Sequence, residues 1–475
     1  MEKEYFNQEA YNYVASQINK TKINSVFKPI VIDIILRRRH EYQLDDKYFH
    51  RDVKSFIRNV KDIYWGNLPE KLGGDFCPGK KCIRINRNAF KENMSDEQFA
   101  EKLLSVICHE CGHAMNFDET GEDRTFKIDP TDSADSTVPI DGILEIFTEK
   151  ESDRLISNRK QEDAFKYYNE TAGYRPTTKY VNVIAAAFGI KEKELLSAAI
   201  KGEQALYKAL NANIKNENFS KEKFKEISFN IRIVHKELHK DKNDEIGLKN
   251  LGDACLKIYE NSEQILAYRI NNLEWDNLEE LQEKLEDIKL SQNAISNIMP
   301  LKGQDDHIGE ELARLGKRMV YAKVMCMEEI IKSKGENSKE LISFVQNSEN
   351  VDEILEFMKQ NGIEINSENL ALMPEFELSQ QKKDEWVKEF CLDGEEWDNA
   401  ERINDIIAHK EEIMNAKEKV SNKIKRGIGR IIQSYIKPYK DLWKASKTLW
   451  KKVFPNKDSN EEPLLLGERK TRKNG

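Results

Sequence analysis

Residues 109–113, HECGH, place side chains that can carry chemistry within one turn of a helix. His109 and His113 are four residues apart, so on a helix they share a face and both imidazoles can bind one metal ion. Glu110 lies beside them and can accept a proton from a water molecule at that ion. With eight histidines in 475 residues, this pattern should arise by chance about once in a hundred such chains. We therefore expect a metal site here.

Three elements around this motif are expected to position it. A helix is predicted over residues 95–116, because Ser95 can cap its first turn and apolar residues recur at helical spacing. A second helix is predicted to start near Asp141, with a long polar loop over residues 117–141 before it. A further helix follows in residues 177–189. Upstream, residues 80–88 alternate enough to form a short strand, after a segment rich in turn-forming residues.

A catalytic zinc site requires a third protein ligand, and the second predicted helix offers carboxylates one turn apart: Glu145, Glu149 and Asp153. H-E-x-x-H followed on a later helix by E-x-x-x-D/E resembles the gluzincin branch of the zinc metallopeptidases, the thermolysin-like group. LEIFTE (residues 144–149) is also similar to the N-E-G-x-T-E segment of several bacterial members. This resemblance covers about residues 50–195 and is at the level of a clan.

The resemblance implies a ligand set for Zn²⁺ made of His109, His113 and Glu145. It also implies that Glu149 hydrogen-bonds a ligand histidine and fixes its orientation. A second register remains open, in which Glu149 is the ligand and Asp153 lies behind it. The chain departs from the thermolysin-like pattern in having 31 residues between His113 and Glu145.

The activity implied by the resemblance is hydrolysis of peptide bonds. Zinc lowers the pKa of its bound water toward about 7, and Glu110 is then the general base that passes the proton to the leaving amine. Tyr174 and Arg175 are candidates to stabilise the oxyanion. The predicted strand in residues 80–88 lies where zincins have the edge strand to which an extended peptide can add.

Two further features of the motif region bear on this expectation. HECGHAMN (residues 109–116) is also similar to the H-E-x-G-H helix of phage-repressor-cleaving metallopeptidases and of some bacterial toxin proteases. Gly112 within it suits close packing of a neighbouring backbone or of a substrate, and it does not discriminate between these groups of proteases. Four cysteines nearby form C-x4-C and C-x2-C pairs, but a second metal at Cys108 and Cys111 would compete with His109 for space. We therefore expect ordinary partly buried thiols.

A second histidine pair provides a comparison within the same chain. HKELH, residues 235–239, has the same histidine spacing but places its glutamate third. This order matches neither H-E-x-x-H nor its inverted form. Because the segment is rich in lysine, we expect it to form a solvated helix face.

Composition excludes several classes of protein. A net charge of −8 argues against a chain that is basic throughout, so nucleic acid is not an expected partner. No run of eighteen apolar residues predicts a membrane-spanning helix, and the first residues do not resemble a cleavable signal peptide. Seven irregularly spaced cysteines do not form a disulfide framework, which favours reduced thiols and a cytoplasmic location.

Charge is unevenly distributed along the chain. Residues 421–454 carry ten Lys or Arg and one Asp, a local charge of +9, which leaves −17 on the remainder. Trp443 and Trp450 lie on one face of this predicted basic amphipathic helix, which is expected to bind an anionic membrane surface, a partner protein or the acidic remainder of the chain. The last twenty residues resemble a disordered tail.

We expect an α+β zincin-like metallopeptidase domain over residues 1–200. A charged, mostly helical region over 201–420 and a basic amphipathic helix with a disordered tail over 421–475 are expected to follow. The predicted function is that of a zinc metallopeptidase acting on a protein or peptide substrate. The alternative is a non-catalytic zincin-like interaction or regulatory protein, associated with a membrane through its C-terminal helix.

Overall fold

The computed structural model describes residues 7–68, 72–91, 93–117, 141–156, 179–238, 245–296, 319–363, 365 and 399–417. Within these ranges the chain is mostly helical and contains a small three-stranded sheet. The sheet precedes most of the helices in the chain, in agreement with the predicted order of an α+β part followed by a helical part. The loop expected over residues 117–141 and the basic tail from residue 421 lie outside the described residues.

Three helices precede the sheet: α1 (Gln8–Asn19), α2 (Lys28–Glu41) and α3 (Asp46–Asn59). The second of these is apolar on nearly every side over KPIVIDIIL, so it is buried along most of its length. The third is amphipathic and begins at Asp45, whose side chain accepts a hydrogen bond from the backbone of Tyr48. These helices form the layer that lies behind the histidine motif.

The sheet consists of β1 (Asp62–Gly66), β2 (Gly74–Cys77) and β3 (Cys82–Asn86), in the order β1-β3-β2. The strand predicted in residues 80–88 is present, but its expected place at the edge is wrong. It pairs parallel to β1 on one side and antiparallel to β2 on the other, and is therefore the central strand. The segment expected to be only a turn supplies β2, the edge strand next to the motif.

The histidine motif lies on α4 (Asp96–Asn116), and α5 (Asp141–Ile156) packs against it. Ser95 caps α4 as predicted: its hydroxyl accepts from the backbone of Gln98, whose side chain accepts from the backbone of Ser95. Both helix boundaries agree closely with the sequence prediction. Residues 177–189, also predicted to be helical, contain the next described helix.

The rest of the described chain is a succession of helices. These are α6 (Lys179–Phe188), α7 (Glu192–Lys201), α8 (Glu203–Asn211), α9 (Glu217–Leu238), α10 (Glu245–Asn271), α11 (Leu278–Ser296), α12 (Met319–Lys334), α13 (Lys339–Asn347), α14 (Val351–Gln360), α15 (Ala400–Ala408) and α16 (Lys410–Met414). Their apolar faces belong to one cluster of buried side chains that also includes the N-terminal helices and the sheet. In the described part of the chain, no helix is both long enough and apolar enough to cross a membrane.

Residues 399–417 pack against the N-terminal elements, although the predicted division of the chain groups them with the helical region. The indole nitrogen of Trp65 on β1 donates to the carbonyl of Ile413. Asn399 donates to the carbonyl of Ile156 at the end of α5, at 2.8 Å. Residues 399–417 therefore contact β1, an edge strand of the described sheet, and the C-terminal end of α5. The latter helix carries the predicted acidic ligands.

Candidate metal centre

The two motif histidines converge at their outer nitrogens. His109 Nε2 and His113 Nε2 lie 3.0 Å apart, with the two rings nearly perpendicular at 82°. Two nitrogens bound to one tetrahedral zinc at 2.0–2.1 Å would be separated by about 3.3 Å. The observed separation is close to that value, so one ion can be reached by both imidazoles without rearrangement of α4.

Glu149 on α5 contacts the first of these histidines on its other nitrogen. Its Oε2 lies 2.7 Å from His109 Nδ1, and both side chains are mostly buried. A proton held at Nδ1 by this carboxylate leaves the Nε2 lone pair available to a metal. The contact expected between Glu149 and a ligand histidine is thus present.

The two ligand registers differ in the role that they give to Glu149. Its carboxylate meets the nitrogen of His109 that faces away from His113, which is where a supporting carboxylate belongs. Glu145 stands one turn earlier on α5, and its side chain lies outside the described part of the structure. Among the described side chains, no group of three or more His, Cys, Asp or Glu that could hold a metal is found. Because the Glu145 side chain lies outside the described residues, both ligand registers stay predictions.

Gly112 explains how α5 approaches closely enough for this contact. A Cβ placed on Gly112 would lie 2.7 Å from Thr148 Cγ2, a separation at which one helix would have to move. Thr148 immediately precedes Glu149 and is itself buried. The missing side chain in the second half of the motif therefore sets the distance between α4 and α5, and through it the distance between His109 and Glu149.

Glu110, the predicted general base, is buried and faces the edge strand. A Cβ placed on Gly74 of β2 would lie 3.5 Å from Glu110 Cγ and 2.7 Å from Val106 Cγ1. The glycine thus allows the strand backbone to pass close to α4 beside the motif. Glu110 therefore lies against β2, an edge strand of the described sheet.

A buried ionic cluster lies behind His113. Arg38 on α2 contacts Asp52 at 3.1 Å and Glu151 at 3.0 Å, and it donates to Asn116 Oδ1 at 2.6 Å. Burial acts to lower the pKa of Arg38, but its two carboxylate partners outweigh burial and raise it. Arg38 is therefore a permanent cation that joins α2, α3, α5 and the last turn of α4.

The sequence analysis missed this cluster, because LRRRHE at the end of α2 resembles a solvated basic turn. The sequence did contain one signal of burial: residues 30–36, just before the arginines, are apolar on nearly every side of the helix. A helix buried on most sides buries some of the charges at its end, here Arg37 and Arg38, and buried arginines require acidic partners. The identity of those partners depends on tertiary contacts that no local spacing reveals.

Of the other residues named from the sequence, the structure describes the two cysteines of the motif region but not the side chains of the oxyanion candidates or of the second histidine pair. Cys108 and Cys111 are buried free thiols, and burial raises the pKa of Cys108 to about 12. Both cysteines are more completely buried than the partly buried thiols that the sequence predicted. Tyr174, Arg175 and His239 lie outside the described residues. The side chain of His235 lies outside them as well, although its backbone belongs to α9.

The comparisons add no family assignment. No protein-family model, no curated protein and no solved structure matches the chain.

Proposed function

We propose that this chain is a zinc-dependent metallopeptidase with a zincin-like arrangement of the sheet, α4 and α5. The observation that supports the proposal best is the set of contacts at His109. Its Nε2 faces that of His113 at 3.0 Å, while its Nδ1 meets Glu149 at 2.7 Å. A carboxylate at Nδ1 of His109 leaves the Nε2 lone pair of that ring directed toward His113, as a shared metal ion would require.

The proposed ligands are His109, His113 and Glu145, with Glu149 supporting His109. Two imidazoles and one carboxylate form a donor set that suits zinc and leaves a fourth position open. Zinc, when bound, supplies Lewis acidity that activates a water molecule and polarises a carbonyl group. The near-tetrahedral spacing of the two Nε2 atoms is the feature of the described residues that fits this ion.

Glu110 is the proposed general base. It neighbours His109 on α4 and is buried beside β2, so its carboxylate is shielded from bulk water and adjoins a proposed ligand in the chain. In this role it accepts a proton from the attacking water and donates it to the leaving amine. A metal site that served structure alone would not require a carboxylate here.

The proposed substrate is an extended peptide, because the strand nearest Glu110 lies at the edge of the described sheet. β2 is hydrogen-bonded to β3 along one side, and an extended chain can add to the other side through backbone hydrogen bonds. Tyr174 is the proposed oxyanion stabiliser, and delivery of the substrate is the proposed role of the helical region.

The proposal is tested by cleavage of a peptide library with the full-length, zinc-loaded protein. Hydrolysis is expected in the wild type and lost in His109→Ala. His235→Ala is the matched control, since it removes a histidine of identical spacing from HKELH and is expected to leave hydrolysis unchanged. Hydrolysis that survives in His109→Ala at the wild-type rate would contradict the proposal, as would equal losses in both variants.

The ligand register is tested separately by zinc stoichiometry. Glu145→Ala is expected to lose the bound zinc, whereas Glu149→Ala is expected to retain it with weaker affinity, by about 10- to 100-fold. Loss of zinc in Glu149→Ala alone would reverse the assignment of the two glutamates.

A further inference from the structure

Two cysteines face each other across the hairpin that ends the edge strand. Cys77 is the last residue of β2 and Cys82 the first of β3, and the two are direct partners in the antiparallel register. Directly opposed residues in such a pair have Cα atoms about 4.5–5.5 Å apart. A disulfide requires a Cα separation of roughly 4.4–6.8 Å. The backbone therefore already holds these cysteines at a distance that a disulfide can bridge.

Both cysteines are free thiols surrounded by polar groups. The Tyr64 hydroxyl lies 3.6 Å from Cys82 Sγ, and Cys77 Sγ lies 3.4 Å from Asp75 Oδ2. Cys82 is buried, whereas Cys77 is partly exposed. The pair thus reaches the protein surface through Cys77.

The same contacts give the two thiols different acidities. A hydrogen bond from the Cys77 thiol lowers the pKa of Cys82, with further lowering by Tyr64 and Arg84 against the opposing effect of burial. That hydrogen bond, burial and the nearby Asp75 carboxylate raise the pKa of Cys77. Cys82 is accordingly the more acidic of the two thiols.

We propose that Cys77 and Cys82 are a redox modification site that forms a reversible disulfide with hydrogen peroxide as the oxidant. The Cys82 thiolate attacks one peroxide oxygen, so an S–O bond forms, the O–O bond breaks and hydroxide leaves. The Cys77 sulfur then attacks the resulting sulfenic acid. The S–S bond forms as the S–O bond breaks, and the Cys77 proton leaves with the departing oxygen as water. Two electrons pass from the thiols to peroxide, and a reducing thiol reverses the modification.

The cross-link would fix the turn end of β2. Gly73 and Gly74, at the other end of this short strand, are packed directly against Val106 on α4. With both ends held, the strand loses freedom to move relative to α4. The inference concerns the hairpin alone and does not rest on the proposed peptidase activity.

The chain supplies a matched control in Cys108 and Cys111. These thiols are also close in sequence, but they lie within a helix and are buried, which shields them from peroxide. Unlike Cys77 and Cys82, these two cysteines are not directly paired residues of neighbouring strands. Peroxide is therefore expected to leave them reduced while it oxidises the hairpin pair.

The test uses the full-length protein exposed to hydrogen peroxide, then denatured, alkylated and digested with trypsin without reduction. Trypsin cuts after Lys80 and Lys81, between the two cysteines, so a disulfide appears as two linked peptides with a mass about 2 Da below their sum. The linked species is expected to disappear after dithiothreitol, with Cys108 and Cys111 alkylated throughout. Recovery of Cys77 and Cys82 as alkylated free thiols, or as separate sulfinic acids, would overturn the proposal.

A single variant tests the assigned order of attack. In Cys77→Ser the resolving thiol is absent, so Cys82 is expected to proceed to the sulfinic acid, with a gain of about 32 Da. Unmodified Cys82 in this variant, under peroxide that cross-links the wild type, would overturn its role as the attacking thiolate.

Discussion

Substitution of Gly112 by alanine is expected to separate α4 from α5 and to weaken the metal site without touching a ligand. The added Cβ would lie 2.7 Å from Thr148 Cγ2, about 1 Å inside the separation that two carbon atoms favour. Thr148 is buried and β-branched, so its methyl group has little freedom to turn away. We therefore expect α5 to move by about 1 Å.

The magnitude follows from two opposing effects. Overpacking of this kind costs about 1–3 kcal/mol, and alanine regains about 1 kcal/mol over glycine in a helix interior. The free energy of unfolding of Gly112→Ala should fall by about 1 kcal/mol net. Because the same shift stretches the 2.7 Å contact between His109 and Glu149, zinc affinity should fall by about 10- to 100-fold.

The assays are urea denaturation of the metal-free protein and zinc competition against a chelator. Thr148→Ser removes the opposing methyl group and keeps the hydroxyl, so adding it to Gly112→Ala should restore both quantities, with a coupling energy of about 1 kcal/mol. Gly79→Ala is the control, since a Cβ there meets nothing within 4 Å. Wild-type stability and zinc affinity in Gly112→Ala, or no rescue in the double variant, would refute the reasoning.

Three further predictions follow from other buried charges. Glu149→Gln keeps the size of the side chain but weakens its hold on the imidazole, so chelator competition should show zinc affinity lower by about 10- to 100-fold; equal affinity would contradict the contact's role. Arg38→Met removes the cation between Glu151 and Asp52, with Asp52 keeping its contact with Arg51, and should lower the free energy of unfolding by about 3–5 kcal/mol in urea. Arg39→Met, which removes a more exposed pair, should cost under about 1 kcal/mol; similar losses in both variants would contradict the role of Arg38 as the buried cation of the cluster. Burial lowers the pKa of Lys323 from 10.5 to about 8, so between these values the unfolded chain binds a proton that the folded chain lacks, and stability rises with pH by up to about 1.4 kcal/mol per unit. In Lys323→Met this contribution should be absent from denaturation measured across the same window, and an unchanged slope would refute it.

Local signals predicted the elements that carry the motif. The capping residue Ser95, the apolar spacing along α4 and the acidic start of the next helix each act within a few residues, so they are readable from sequence. The spacing of Glu145 and Glu149 likewise placed a carboxylate one turn after the expected ligand. The observed contact between Glu149 and His109 follows from that spacing once the two helices pack together.

The edge strand was missed for a physical reason. Gly73, Gly74 and the Cys-Pro-Gly that follows favour a turn by local propensity. In the fold the two glycines are required instead by the close approach of Val106, and pairing with β3 makes the segment extended. Local propensity likewise could not predict the buried partners of Arg38 or the packing of residues 399–417, because both depend on contacts between distant parts of the chain.

The central claim is that Glu110 acts as general base at a zinc site formed on α4. Its most direct test is cleavage of a peptide library by zinc-loaded Glu110→Gln, compared with the wild type at equal zinc content. We expect the variant to bind zinc normally and to lose hydrolysis by about 10²- to 10⁴-fold, since the ligands remain and the proton acceptor is gone. Hydrolysis at the wild-type rate in the zinc-loaded variant would contradict the account.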